Sequence, residues 1–155
     1  MSEPERHKRR FMRLMYSLIG FLHEKLPNDK TLEIAATTAK MASDTLVMKH
    51  WGKYVMKYAD EIENHDEHFF RHTDLTKEYN KDDFDISKDE FQFRVAYFRE
   101  LWDTDGITDK DKAEAWKYME GLVRHWRDYN KASEEAKKKG ADAYLDKLEA
   151  KGYWG

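Results

Sequence analysis

Three histidines, His65, His68 and His72, lie three and four residues apart in the string His65-Asp66-Glu67-His68-Phe69-Phe70-Arg71-His72. On a continuous helix this spacing places them on one face, with Glu61 one turn earlier. Neutral imidazoles beside a carboxylate are suitable ligands for zinc or iron. The order is neither His-Glu-x-x-His nor Glu-x-x-His, however, and His23, His50 and His125 stand alone rather than in a matching motif on a second helix. A hydrated surface cluster accounts for the histidines equally well, so the metal reading of His65, His68 and His72 is a minor one and no cofactor is expected.

A second constellation is basic. Arg6, Arg9, Arg10 and Arg13 fall on one side of an N-terminal helix whose other side is apolar. Arginines at that spacing can follow a nucleic-acid backbone by neutralising phosphates. The simpler alternative is a solvated face that keeps an apolar helix soluble. Calcium is a poor match to the acidic turns: around Asp103-Thr104-Asp105-Gly106, Leu101 stands at the first ligand position and Lys112 at the last, where a bidentate glutamate is required. There is no phosphate-binding glycine loop, no Gly-x-Ser-x-Gly and no dinucleotide fingerprint, so an enzyme is the less favoured class.

Composition sets the frame for these residues. The 155-residue chain is 40% hydrophobic and 38% charged, a balance suited to amphipathic helices with sharply divided faces. Aromatic residues make up 14%, enough to fill the core of a small bundle and to leave rings as partner anchors. No cysteine occurs, which excludes a disulfide framework and a thiolate nucleophile and suits an intracellular setting. The apolar run from Leu14 to Leu22 imitates a signal peptide, but Arg13 interrupts it and His23-Glu24-Lys25-Leu26-Pro27 offers no small-residue cleavage site. No membrane span is expected.

Capping signals and periodicity outline the elements. Ser2-Glu3-Pro4-Glu5 opens a helix that carries Phe11, Leu14, Met15, Leu18, Ile19 and Leu22 and ends at Pro27. Asn28 or Asp29 caps a second helix. From Ser43 a third is expected to run unbroken through Val47, Trp51, Tyr54, Val55, Tyr58 and Ile62 as the central element, with Gly52 a local cost of about 1 kcal/mol. Asp66 is expected to cap the turn bearing Phe69-Phe70. Thr73 to Asp85 reads as a loop. Ser87 then starts a helix burying Phe91, Val95, Phe98, Leu101 and Trp102, and Thr108-Asp109-Lys110-Asp111 starts one burying Ala115, Trp116, Met119, Leu122, Val123 and Trp126. Beyond Asn130 only Tyr144, Leu145 and Leu148 continue the pattern, with Gly140 among lysines. The expected fold is therefore all-α, a compact irregular bundle of about five or six helices. Residues 1–130 form its helical domain, and residues 131–155 form a weaker C-terminal helix and tail, in the same domain or ordered by a partner.

The succession Phe11 to Pro27, Trp51-x-x-Tyr54-Val55-x-x-Tyr58-x-x-x-Ile62, Asp66-x-x-Phe69-Phe70, Leu101-Trp102 and Trp116-Lys117-Tyr118-Met119-x-x-Leu122 resembles that of short uncharacterised proteins encoded by large DNA viruses of algae and other protists. The resemblance implies a virus-encoded, intracellular helical protein acting in the host cytoplasm or nucleus or in the virion, and carries over no active-site residues. Together with the aromatic content it leads to the expectation of a non-enzymatic protein-interaction module whose partner-binding residues are Trp51, Tyr54, Tyr58, Phe69 and Phe70. A nucleic-acid-associated protein using Arg6, Arg9, Arg10 and Arg13, and a metal-dependent enzyme using the histidines, are the alternatives.

Overall fold

Ser2 caps the first helix. Its hydroxyl accepts the Glu5 N–H at 3.3 Å, Pro4 occupies the first turn, and Glu3 and Glu5 lie at the positive end of the helix dipole, opening α1 (Glu3–Lys25). At the other end of the chain, Thr108 and Asp111 form a reciprocal capping box, with bonds of 3.1 and 3.0 Å, that opens α7 (Asp109–Ala150). The computed structural model describes residues 2–78 and 87–152, and these are helix, turn and loop without a strand.

α1 and α7 are the axis of the fold and run antiparallel. Lys25 pairs with Asp111 at 3.5 Å at one end, the Phe21 and Tyr118 rings follow at 5.7 Å, and Leu14 lies against Gly121 further along. A Cβ on Gly121 would stand 2.5 Å from Leu14 Cδ2, so this glycine leaves room for the Leu14 side chain between the two helices. Phe11, Met12, Met48 and Leu122 form one buried cluster, and Ala59, Ile62 and Val123 the next, so α7 contributes to both.

The connecting elements are shorter. α2 (Lys30–Met41) is capped by Asp29, whose Oδ1 accepts the Leu32 N–H at 3.0 Å. α3 (Asp44–His50) does not continue into the long central helix expected from the periodicity. It gives way to a π turn at Trp51–Val55, a 3-10 turn at Met56–Tyr58 and then α4 (Ala59–Glu63). The cause is Trp126 of α7. Its ring lies on Gly52, where a Cβ would be 2.2 Å from Cζ2, and its indole N–H donates to the Met48 carbonyl at 2.9 Å. A side chain entering the backbone ladder in this way widens the turn. Gly52 is thus the seat of a tryptophan, and the central role falls to the α1–α7 pair.

α5 (Glu67–His72) begins at Asp66, whose carboxylate accepts the Phe69 N–H at 3.0 Å, as expected from the sequence. A short 3-10 turn spans Leu75–Glu78 within the expected loop from Thr73 to Asp85; residues 79–86 lie outside the described residues, as do Tyr153 and Trp154. In α6 (Lys88–Trp102), Leu101 is buried as expected, but Phe98 is 53% exposed. Tyr97, Arg99 and Trp102 tie α6 to Asp29, to the Thr73 carbonyl and to Glu67. At the C-terminus, a separate weaker helix is replaced by an uninterrupted continuation of α7, 42 residues long and so roughly 63 Å at 1.5 Å per residue.

Candidate interaction surfaces

The aromatic residues singled out as partner anchors are largely used inside the fold. Trp51 meets Phe11 edge-on at 5.3 Å and points its indole N–H at the Met56 sulfur, 3.2 Å away. Tyr58 sits against both Phe69 (5.4 Å) and Phe70 (6.4 Å), and Phe70 reaches Trp116 at 6.0 Å. Tyr54 packs edge-on against His50 beneath the ammonium groups of Lys53 and Lys57. All five rings are half-buried; Trp51 packs on α1, Phe70 packs on α7, and Tyr58 links the segment before α4 to α5.

The histidine spacing presumed one continuous helix. Instead the chain breaks at Asn64-His65-Asp66, and His65 takes the left-handed conformation at φ 51°, rare for a residue with a Cβ. This turn carries His65 away from its neighbours: its ring stacks on Trp116 at 5.1 Å, nearly parallel at 11°, and its Nε2 engages the Glu120 carboxylate. His68 and His72 remain together on α5, ring centres 4.4 Å apart. The structure therefore does not bring His65, His68 and His72 to one point. Among the described residues, no group of three or more histidines, cysteines or carboxylates could hold a metal ion.

Charged groups join α5 to α6 in a network that no local motif announces. Arg71 donates to both oxygens of Asp103, at 2.7 and 2.5 Å, and to Glu67 at 2.8 Å. Glu67 also accepts the Trp102 indole N–H at 2.5 Å, while Arg99 donates to the carbonyls of Phe70 and Thr73 at 2.9 and 2.5 Å. The hydrogen bonds from Arg71 hold the carboxyls of both Glu67 and Asp103 below their ordinary range. A second unannounced link is Tyr97, which donates to Asp29 at 2.5 Å. Burial opposes the charge of Asp29, but that bond and the N–H groups of Leu32 and Thr31 outweigh it and lower its pKa. Burial and the same bond raise the Tyr97 phenol.

Between α4 and α7 lies an open depression of about 310 Å³ lined by Glu63, Glu120, Arg124, Arg127 and Asp128, with Arg127 and Glu63 paired across it. All five of these side chains are charged, three acidic and two basic.

Ile34 and Met41 of α2, Leu46 of α3 and Phe93 and Phe98 of α6 are exposed, and two further open surfaces bear on function. The first is the basic side of α1, where Arg6, Arg9, Arg10 and Arg13 are all exposed. No ion pair among the described residues includes any of them, whereas Arg71 and Arg127 are both paired. The second is the C-terminal part of α7. From residue 134 to 150 every side chain is exposed except half-buried Leu148, including Tyr144 at 63% and Leu145 at 47%. The antiparallel order of α1 and α7 explains this. With Lys25 at Asp111 and Leu14 at Gly121, α1 reaches its own N-terminus while α7 still has about 25 Å to run. Among the described residues, no helix is long and apolar enough to cross a membrane. No family model, curated protein or solved structure shows a match to the chain.

Proposed function

We propose that this protein is a non-enzymatic protein-interaction module whose docking element is the arm formed by residues 134–150 of α7. The observation that carries the reading is the exposure of Tyr144 and Leu145 on a stretch of helix where, among the described residues, every side chain but half-buried Leu148 is exposed. A helix of this length is marginal alone in water, and an apolar stripe on it gains stability by being covered. Large aromatic and aliphatic side chains on a helix face are the usual anchors of helix-in-groove recognition. The setting implied by the viral resemblance, an intracellular or virion assembly, suits such a module.

The reading is tested by affinity capture from cells expressing the full-length protein beside the variant Tyr144→Ala/Leu145→Ala/Leu148→Ala. Specific partners held by the wild type and lost by the variant, with helicity and unfolding midpoint unchanged, are the expected result. Equal capture by both proteins would remove the arm from the account.

The exposed and unpaired state of Arg6, Arg9, Arg10 and Arg13 supports a second reading, association with a nucleic-acid backbone. Binding through four phosphates would lose affinity with a log–log salt slope of about −3 to −4. Replacing Arg9 and Arg10 by alanine would lower that slope by about 2. Binding that is indifferent to salt and survives the substitutions counts against it.

A further inference from the structure

The exposed side of α1 is set apart by the sign of its charge. The chain as a whole carries a net charge of −3. Between Glu5 and Glu24, however, about 28 Å of helix, no acid occurs, while Arg6, Lys8, Arg9, Arg10 and Arg13 all fall there. Lys8 pairs with Glu5 at 3.1 Å, which leaves the four arginines as the exposed cations of the stretch. At about 100° per residue they form a patch rather than a line. Arg9 and Arg10 stand on its two sides, and Arg6 and Arg13 lie between them, a turn before and a turn after. Arg10 marks the α7 edge, near enough to His125 for its charge to be felt there beside those of Arg124 and Asp128.

We propose that this patch binds the phosphate backbone of a nucleic-acid duplex in preference to a single strand. This rests on the reading of the arginines as a nucleic-acid contact and names the form of nucleic acid. From Ser2 to Lys25 no exposed residue is aromatic or a large apolar one. The exposed positions just past the arginines are Ser17 and Gly20, and a Cβ on Gly20 would meet nothing within 4 Å. Single strands are held by stacking their bases on exposed rings. An anionic bilayer is held by an apolar helix face sunk among its headgroups, and an acidic protein by a patch with an apolar core. The patch offers none of these. A duplex backbone asks only for cations and room to approach. Charge density points the same way. Arg6 to Arg13 rise about 10.5 Å, over which a duplex presents about six phosphate charges and one strand about three. Four guanidiniums spread to two sides of a helix face therefore outnumber the phosphates of one strand and are matched by those of two.

The test uses the full-length protein and a fluorescently labelled DNA duplex of about 20 base pairs, roughly 68 Å and so longer than the patch. Each separate strand, and vesicles of phosphatidylserine with phosphatidylcholine, are measured beside it. At low salt the duplex should bind at least about tenfold more tightly than either strand, with a log–log salt slope of about −3.6 against about −2 for three phosphates of a strand. Arg9→Ala/Arg10→Ala should bring the duplex slope to about −1.8 and remove most of the preference. Arg9→Lys/Arg10→Lys keeps both charges and should keep the slope. Circular dichroism and the unfolding midpoint show whether the variants, altered only at exposed positions, are folded. Strands that bind as tightly as the duplex, or a duplex slope indifferent to the alanine pair, would overturn the proposal. If strands and duplex bind equally and both lose slope in the alanine variant, the nucleic-acid reading stands and the choice of duplex fails. If only the vesicles bind, or nothing does, both fail.

Discussion

Replacing Gly52 by alanine should destabilise the protein, although the same change in an ordinary helix is favourable. In isolation the substitution gains up to about 1 kcal/mol of helix propensity. Here the new Cβ would lie 2.2, 2.8 and 3.1 Å from Cζ2, Cε2 and Cη2 of Trp126, inside contact distance of a rigid ring. That ring cannot swing aside cheaply, because its N–H is bonded to the Met48 carbonyl and its face packs on the Phe11–Leu122 cluster. Overpacking of this kind costs about 1–3 kcal/mol, and losing the indole bond about 1 kcal/mol more. The net loss is then about 1–3 kcal/mol, or a fall in Tm of roughly 2–10 °C for a chain of this size. Urea unfolding followed by tryptophan fluorescence and far-ultraviolet circular dichroism reads the change directly. Gly140→Ala is the matched control: nothing lies within 4 Å of its Cβ position, so it should raise helicity without lowering the midpoint. An unchanged or raised midpoint for Gly52→Ala would refute the account of why α3 gives way to a π turn.

Two other perturbations test the packing of the ends of the bundle. Asp29→Ala removes the cap of α2 and the acceptor of Tyr97 together, and should lower stability by about 1–2 kcal/mol in denaturant titration, with Tyr97→Phe losing less. The second concerns His125. Burial lowers its pKa from the ordinary 6.5, helped by Arg124 on its own helix and by Arg10 and His7 from α1, and opposed by Asp128. A histidine harder to protonate when folded contributes stability that is complete above pH 6.5 and is lost as pH falls below it, because the unfolded chain takes up the proton first. The unfolding midpoint should therefore fall as pH drops below about 6.5. His125→Gln should flatten that fall, and an equally steep decline in the variant would show that other groups cause it.

What could be read from the sequence was local. The Ser2 and Asp66 caps and the Thr108–Asp111 box each close within one turn, so residue type and spacing are enough to find them. The apolar stripes of α1 and of the first half of α7 were legible for the same reason. The break in the Ser43–Ile62 segment was not, because it depends on Trp126, far along the chain, seated on Gly52. Once the left-handed turn at His65 is in place, the face shared by three histidines no longer exists. Phe98 shows the same limit from the opposite side. An apolar residue at helical spacing marks a candidate core position, but whether another element covers it depends on contacts distant in sequence. The arm was visible as a thinning of the pattern after Asn130; its continuity with α7 follows from good helix formers on both sides of Gly140, and its exposure follows from the shorter length of α1.

Hydrogen exchange along α7, read by mass spectrometry in dilute protein and again with a captured partner, tests the docking arm most directly. In dilute protein the amides of residues 111–123 should be strongly protected, while those of 134–150 exchange at rates near those of an isolated helix. Assembly should slow exchange across Ala141 to Leu148 by at least about tenfold and leave the buried part of α7 unchanged. An arm as protected in dilute solution as the buried segment, or one that stays unprotected when the protein is assembled, would contradict the account.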